Sequence, residues 1–138
     1  MLQVVFLCQI ILSALMTGII WIIQLVHYPS FQYIKSSAWE AFHQFHTSRM
    51  RYIVAPLMIM ELASSFYLYY EMRSTGFIFI LNILIWLSTF LIQVPLHKKL
   101  SSAYSLKQSA LLTQSNWIRT VLWTLKTAGL LCLINEVV

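Results

Sequence analysis

GFIFILNILIWLSTFLIQVPL, the stretch from Gly76 to Leu96, holds no Asp, Glu, Lys or Arg, and the charges nearest to it are Arg73 and Lys98. At a rise of 1.5 Å per residue the run reaches about 30 Å, the thickness of a bilayer's hydrocarbon core. Inside that layer every backbone N–H and C=O must be satisfied within the segment, and a helix does so. Working outward, three further stretches have the length and character of a crossing: Leu2 to Val26, Tyr52 to Tyr70, and Trp117 to Asn135. The first carries no charge before Lys35. Its apolar run is too long for a secretory h-region and lacks a basic n-region, so it reads as a span. The predicted fold is all-α, a four-helix transmembrane bundle over residues 1–138 as one integral membrane domain.

Composition agrees with this reading. Hydrophobic residues make up 59% and charged residues 9% of the 138, with a mean hydropathy of +0.75, more apolar than the core of a soluble domain of this size requires. Four crossings place both termini and the Glu71–Gly76 turn on one side. Lys35, Arg49, Arg51, Lys98, Lys99 and Lys107 lie on the other, against Arg73 alone. The positive-inside rule makes the lysine-rich face cytoplasmic, both termini outside, and the plasma membrane the expected location. The net charge of +5 is then a topology signal, with attraction to anionic lipid headgroups, and not a nucleic-acid footprint. Cys8 and Cys132 belong to no CxxC pair and read as free, lipid-buried small hydrophobes.

Helical phase sorts the polar residues. At 100° per residue, Gln9, Ser13, Thr17, Gln24 and His27 share an arc of about 80° on the first span, and Asn82, Thr89, Gln93 and His97 an arc of similar width on the third. The fourth gathers Asn116, Arg119, Thr120, Lys126 and Thr127 on one broad side. Single Ser, Thr, Asn and Gln residues in such stripes commonly join helices by hydrogen bonds. Charges demand more. Glu61 and Lys126 each fall mid-span, in helices that run the same way, so they should sit at one depth; a partner offsets the cost of charge there. A Glu61–Lys126 pair is expected, either as a structural tie or as a proton-active, substrate-orienting group.

All four histidines, His27, His43, His46 and His97, fall at the predicted cytoplasmic face. His43 and His46 are one turn apart and Glu40 precedes them, a Glu-x-x-His arrangement known from di-metal carboxylate bundles. The second carboxylate that such a site needs is missing nearby. Imidazoles alone suit zinc, copper or iron, with Glu40 as an oxygen ligand. Glu61, about 22 Å further along an unbroken helix from His46, belongs to a separate tier. Short amphipathic interfacial helices are expected in the first and third connections: one from about Ser37 into the second span, anchored by Trp39, Phe42 and Phe45, and one between Leu96 and Asn116. Tyr28-Pro29 should end the first helix, and Pro56 is positioned to bend the second.

The strings Gln24-Leu-Val-His27-Tyr-Pro29, Phe42-His43-x-x-His46-Thr-x-Arg49, Pro56 to Glu61, Gln93-Val-Pro95-Leu-His97 and Asn116-Trp117-Ile-Arg119-Thr120 resemble those of small bacterial four-span membrane proteins of unassigned function, over nearly the whole chain. That resemblance implies a shared fold with the histidines, Glu61 and Arg119 as signature positions. The layout is more distantly similar to the four-helix, haem-binding protoporphyrinogen oxidase and to anthrone-oxygenase-like membrane proteins, which implies a haem or porphyrin role through architecture.

These readings converge on a metal- or haem-binding, redox-active bundle acting on a lipophilic molecule. His27, His43, His46 and His97 are the candidate ligands, and Glu61 and Arg119 the candidate catalytic groups. Arg119 and Asn116 would position an anionic or carbonyl group at the mouth, a cavity of Gln24, Gln93 and Glu61 would receive the polar end, and Lys126 completes the polar set. Expected partners are membrane lipid, a lipophilic small molecule and further copies of the chain, with no nucleic acid. A second class is a small binder or carrier of a lipid or ion; a third is an accessory subunit of a membrane complex. Nucleotide fingerprints, phosphate loops and nucleophile triads are absent from the sequence.

Overall fold

The computed structural model describes residues 1–137. Its helices are α1 (Leu2–Ile22), α2 (Trp39–Glu71), α3 (Gly76–Ser88), α4 (Val94–Leu100), α5 (Leu106–Cys132) and the short α6 (Ile134–Val137). A π-helical segment, Ile23–His27, prolongs α1, and a second, Thr89–Gln93, joins α3 to α4 in one continuous rod. Each of the four rods packs against its neighbours in sequence, and α5 returns to α1, closing a four-membered ring. No strand occurs among the described residues.

The inward faces explain the packing. Buried positions on α5 run Ser109, Leu112, Asn116, Arg119, Trp123, Lys126 and Leu130, and on α1 Phe6, Gln9, Ser13, Met16 and Ile20. These alternating steps of three and four draw the seam along which helices interlock at a shallow crossing angle. The seam is unusually polar, whereas the outer faces are apolar: Ile11 on α1, Ile80 and Leu87 on α3, and Val121 and Leu125 on α5 are each about half exposed or more. Such inversion suits a hydrocarbon surround, where buried polar groups pair with one another.

Three helical stretches are long and apolar enough to cross a membrane: Leu2–Tyr33, Ser36–Glu71 and Arg73–Leu100. The polar seam of α5 lowers its average hydropathy, while Val121, Leu125 and Leu131 keep part of its outer face apolar.

At the histidine end the helices run well past the expected spans. Helix α2 begins at Trp39, 13 residues before Tyr52, and its 33 residues rise about 50 Å, more than a hydrocarbon core accommodates. Pro56 lies inside α2 without ending it. The helix expected from about Ser37 into the second span is present as the first turns of α2, whereas the short surface helix expected between Leu96 and Asn116 does not form as a separate element. The first connection consists of two 3-10 turns, Pro29–Tyr33 and Ser36–Ala38, after which α2 starts directly; the third is residues 101–105, because Leu96 to Leu100 belong to α4 and Leu106 opens α5. Ser105 caps that opening through Gln108 N–H. Trp39, expected as an interfacial anchor, is instead buried and donates from Nε1 to the Leu100 carbonyl at 2.7 Å, closing α2 against the end of α4.

Candidate functional site

The lower tier lies at mid-bundle. Lys126 Nζ donates to Glu61 Oε1 at 2.6 Å with neither side chain exposed, as counting residues into the two spans predicts. Ser13 Oγ donates to the same oxygen at 2.9 Å and Trp123 Nε1 to Oε2 at 2.9 Å. Three donors from α1 and α5 therefore hold one carboxylate from α2. A buried pair offsets its desolvation only when its remaining lone pairs are satisfied, and here both oxygens have partners. Toward the terminal end, Ser64 pairs with Gln9, and Asn82 Nδ2 donates to Ser65 Oγ at 2.9 Å.

A layer of amides lies above this pair. The carbonyl of Thr113 can only accept, so Gln24 turns Nε2 toward it (3.1 Å) and presents Oε1 to Asn116 Nδ2 (2.9 Å). Asn116 is thereby left with Oδ1 facing Arg119, whose Nε and Nη2 both donate to it. One backbone carbonyl thus fixes the orientation of two amides, and the second amide fixes the guanidinium. Arg119 Nη2 also donates to the Tyr28 hydroxyl at 3.3 Å.

The histidine tier follows. Tyr28 Oη and His97 Nε2 share a hydrogen bond of 3.1 Å, and His97 Nδ1 and His43 Nε2 one of 3.2 Å. His27 Nε2 and His46 Nδ1 share another at 2.6 Å. Ring centroids of His43, His46 and His97 lie 5.4 to 6.3 Å apart. Helices α1, α2 and α4 each deliver part of this group. Both π segments end beside it, and the bond from Tyr28 N–H to Ile23 C=O, 3.0 Å, shows the wider π turn that seats His27 and Tyr28. Such segments insert a residue into a helix and recur at functional sites.

The structure thus brings the four histidines together. Their nitrogens, however, pair with one another and with Tyr28, and among the described residues no group of three or more His, Cys, Asp or Glu side chains is arranged to hold a metal ion. The donor type suits a transition metal; the direction of the nitrogens in this arrangement does not.

A cavity of about 1000 Å³ opens beside this tier, lined by Tyr28, His43, His46, His97 and Arg119 at its polar end and by Met16, Ile20, Met58, Trp86, Phe90 and Trp123 elsewhere. Its membership departs from expectation. Gln24, Gln93 and Glu61, expected to form the cavity, do not line it. Gln24 is spent on α5, Gln93 Oε1 accepts from Ser115 at 3.2 Å, and Glu61 is enclosed by its three donors. Trp123 separates the tiers, one ring touching the cavity while its N–H holds Glu61.

Sequence reasoning passed over Tyr28 and Trp123 as site residues. Trp123 was findable, since Asn116, Arg119, Trp123 and Lys126 follow the same three-and-four step. In the sequence Tyr28 stands only in a helix stop and in the Gln24 to Pro29 string, with no mark of a site role. Cys8 and Cys132 are free, as expected, and both lie exposed on the outer surface of the bundle.

Compared with protein-family models, with curated proteins and with solved structures, the chain finds no match in any of the three.

Proposed function

We propose that this is an integral membrane protein, a bundle of four spans, that holds a lipophilic molecule in the cavity between its helices, with the polar end of the ligand against Arg119, Tyr28 and the imidazoles. One observation carries the reading: a cavity at the upper end of the size range for small-molecule sites, about 300–1,000 Å³, whose polar groups gather mainly toward the histidine end while Met16, Ile20, Met58, Trp86, Phe90 and Trp123 line most of the remainder. The exposed Lys35, Arg49, Arg51, Lys98, Lys99 and Lys107 at the histidine end support a cytoplasmic orientation of that end by the positive-inside rule. In this reading Glu61 and Lys126 hold the scaffold, Gln24 and Asn116 aim the guanidinium, and the Tyr28–His97–His43 chain can pass or hold a proton next to the ligand.

The experiment is mass spectrometry of organic extracts from protein purified in mild detergent. A lipophilic species retained in stoichiometric amount by the wild type, and lost when Ala55 on the cavity wall is replaced by Trp, supports the reading. Equal recovery from both proteins counts against it.

Redox chemistry with zinc, copper, iron or haem is a second reading, favoured by the gathering of four imidazoles from three helices. Elemental analysis and an absorption spectrum test it. Stoichiometric metal or a Soret band that disappears when His43 and His46 are both changed to Ala would establish it.

A further inference from the structure

The cavity carries a charge that the protein does not balance. Arg119 is 6% exposed, and its hydrogen bonds all run to neutral oxygens, Asn116 Oδ1 and the Tyr28 hydroxyl. Its Nη1 makes no hydrogen bond among the described residues. Lys126, two turns further along the same helix, has Glu61 at 2.6 Å; Arg119 has no carboxylate. The acidic residue on the cavity wall, Glu40, is exposed and forms no ion pair among the described residues. A guanidinium cannot escape the cost of burial by losing its proton. An unpaired buried ion costs several kcal/mol even after relaxation, so the site is complete only when an anion fills it.

Three further observations narrow the anion. First, Arg119 is the one cation facing the enclosed part of the cavity, since Arg51, the other cation on its wall, is exposed; one charge calls for a monoanion. Second, a flat guanidinium pairs best with a flat, two-oxygen acceptor, and Tyr28 and His97 stand beside it as further hydrogen-bonding groups. Third, the wall beyond is apolar. Along α2 its apolar lining is Met50, Val54, Ala55, Met58 and Ile59, about 14 Å of helix, and Met16, Ile20, Trp86 and Phe90 face it from the other rods.

The opening also has a direction. Ile59 on α2, Phe90 in the second π segment and Val94 on α4 line the cavity, yet are 58%, 57% and 49% exposed. Residues that face both inside and outside mark a gap. This one lies between the flanks of two rods, where lipid would be.

We infer that the cavity takes a long-chain carboxylic acid from the bilayer, which enters between α2 and the α3–α4 rod, sets its carboxylate against Arg119 and lays its alkyl chain along α2. The inference rests on the ligand-binding reading above and adds the chemical class of the ligand and its route.

Trp86 and Trp123 on the cavity wall supply the test. Purified protein in detergent is titrated with bromine-labelled hexadecanoic acid, with the equally labelled alcohol, and with the corresponding phosphate monoester, and tryptophan quenching is followed. The acid is expected to quench saturably and to bind about tenfold or more tighter than the alcohol, the increment of a charge-assisted hydrogen bond. In Arg119→Gln the acid should fall to the affinity of the alcohol while the alcohol is unchanged. Equal affinity of acid and alcohol in the wild type, or a preference that survives Arg119→Gln, overturns the carboxylate assignment and leaves the cavity standing as a site. A phosphate monoester that binds more tightly than the acid also overturns it. Absence of saturable quenching by all three overturns the ligand-binding reading itself. Should Arg119→Gln not fold, as judged by circular dichroism, competition between acid and alcohol in the wild type decides. Portal use is read from Ile59→Phe and Val94→Phe, at the gap itself, which should slow acid binding; an unchanged rate in both overturns the route.

Discussion

Glu61 and Lys126 meet at 2.6 Å across the middle of the bundle, both fully buried, and two further donors close around the carboxylate. The pair joins α2 to α5, diagonal members of the ring, while Ser13 brings in α1. Lys126→Met leaves a carboxylate enclosed without its cation and should destabilise by about 3–5 kcal/mol. Replacing both, with Glu61→Leu and Lys126→Met, should recover much of that loss, because no charge is then stranded. Thermal unfolding of the single and double variants in one detergent checks this; a double variant no better than the single would show that the pair itself supplies the stability.

A second tie closes the histidine end. Trp39 donates to the Leu100 carbonyl at 2.7 Å and stacks edge-on against Tyr104, centroids 4.9 Å apart. Trp39→Phe keeps most of the ring and strands the carbonyl, at a cost of about 1–3 kcal/mol. The effect should be local: limited proteolysis within residues 101–105 should accelerate more than global unfolding does.

The orientation of the chain is open to direct labelling. Ser74 and Ser102 are exposed at opposite ends of the bundle. In a background with Cys8 and Cys132 changed to Ala, Ser102→Cys should react with a membrane-impermeant maleimide only from the cytoplasmic side, and Ser74→Cys only from outside. Labelling of both from one side would rule out four crossings.

The hydroxyl of Tyr28 links Arg119 to His97. Tyr28→Phe removes that link and takes one hydrogen-bond partner each from Arg119 Nη2 and His97 Nε2, which costs about 1–3 kcal/mol. The guanidinium should lose its fixed direction, so anion binding by the variant should weaken. Binding isotherms at matched stability are the measurement; an unchanged affinity would mean that Asn116 alone aims Arg119.

Much of this architecture can be read from the residues. Matching the depths of Glu61 and Lys126 works because α2 and α5 are unbroken α-helices, where residue number converts directly to height. Placing four histidines at one end works because each stands at the same end of its rod, and one extra residue in a π segment changes phase far more than height. Span limits are less legible. Hydropathy registers apolar residues and therefore stops at Tyr52, but the helix continues through Arg51, Arg49 and Glu40, whose exposed side chains cost nothing outside a hydrocarbon layer. Gln24 and Gln93 were assigned to the cavity on the assumption of 100° per residue, and each stands within a π segment where that phase fails. The sequence carries no dependable mark of such a segment, because the extra residue is accommodated by tertiary contacts and not by local propensity.

Those two π segments have a consequence for how the protein can change over time. Each adds a residue to a rod whose lower turns are ordinary α-helix, so loss of a single residue from either would leave the ion pair and the seam around it intact while rotating His27 or His97 away from their partners. Stability and chemistry are thus written in different turns of the same helices. A lineage could gain, lose or retune the imidazole layer by one-residue insertions and deletions without having to rebuild the frame beneath it.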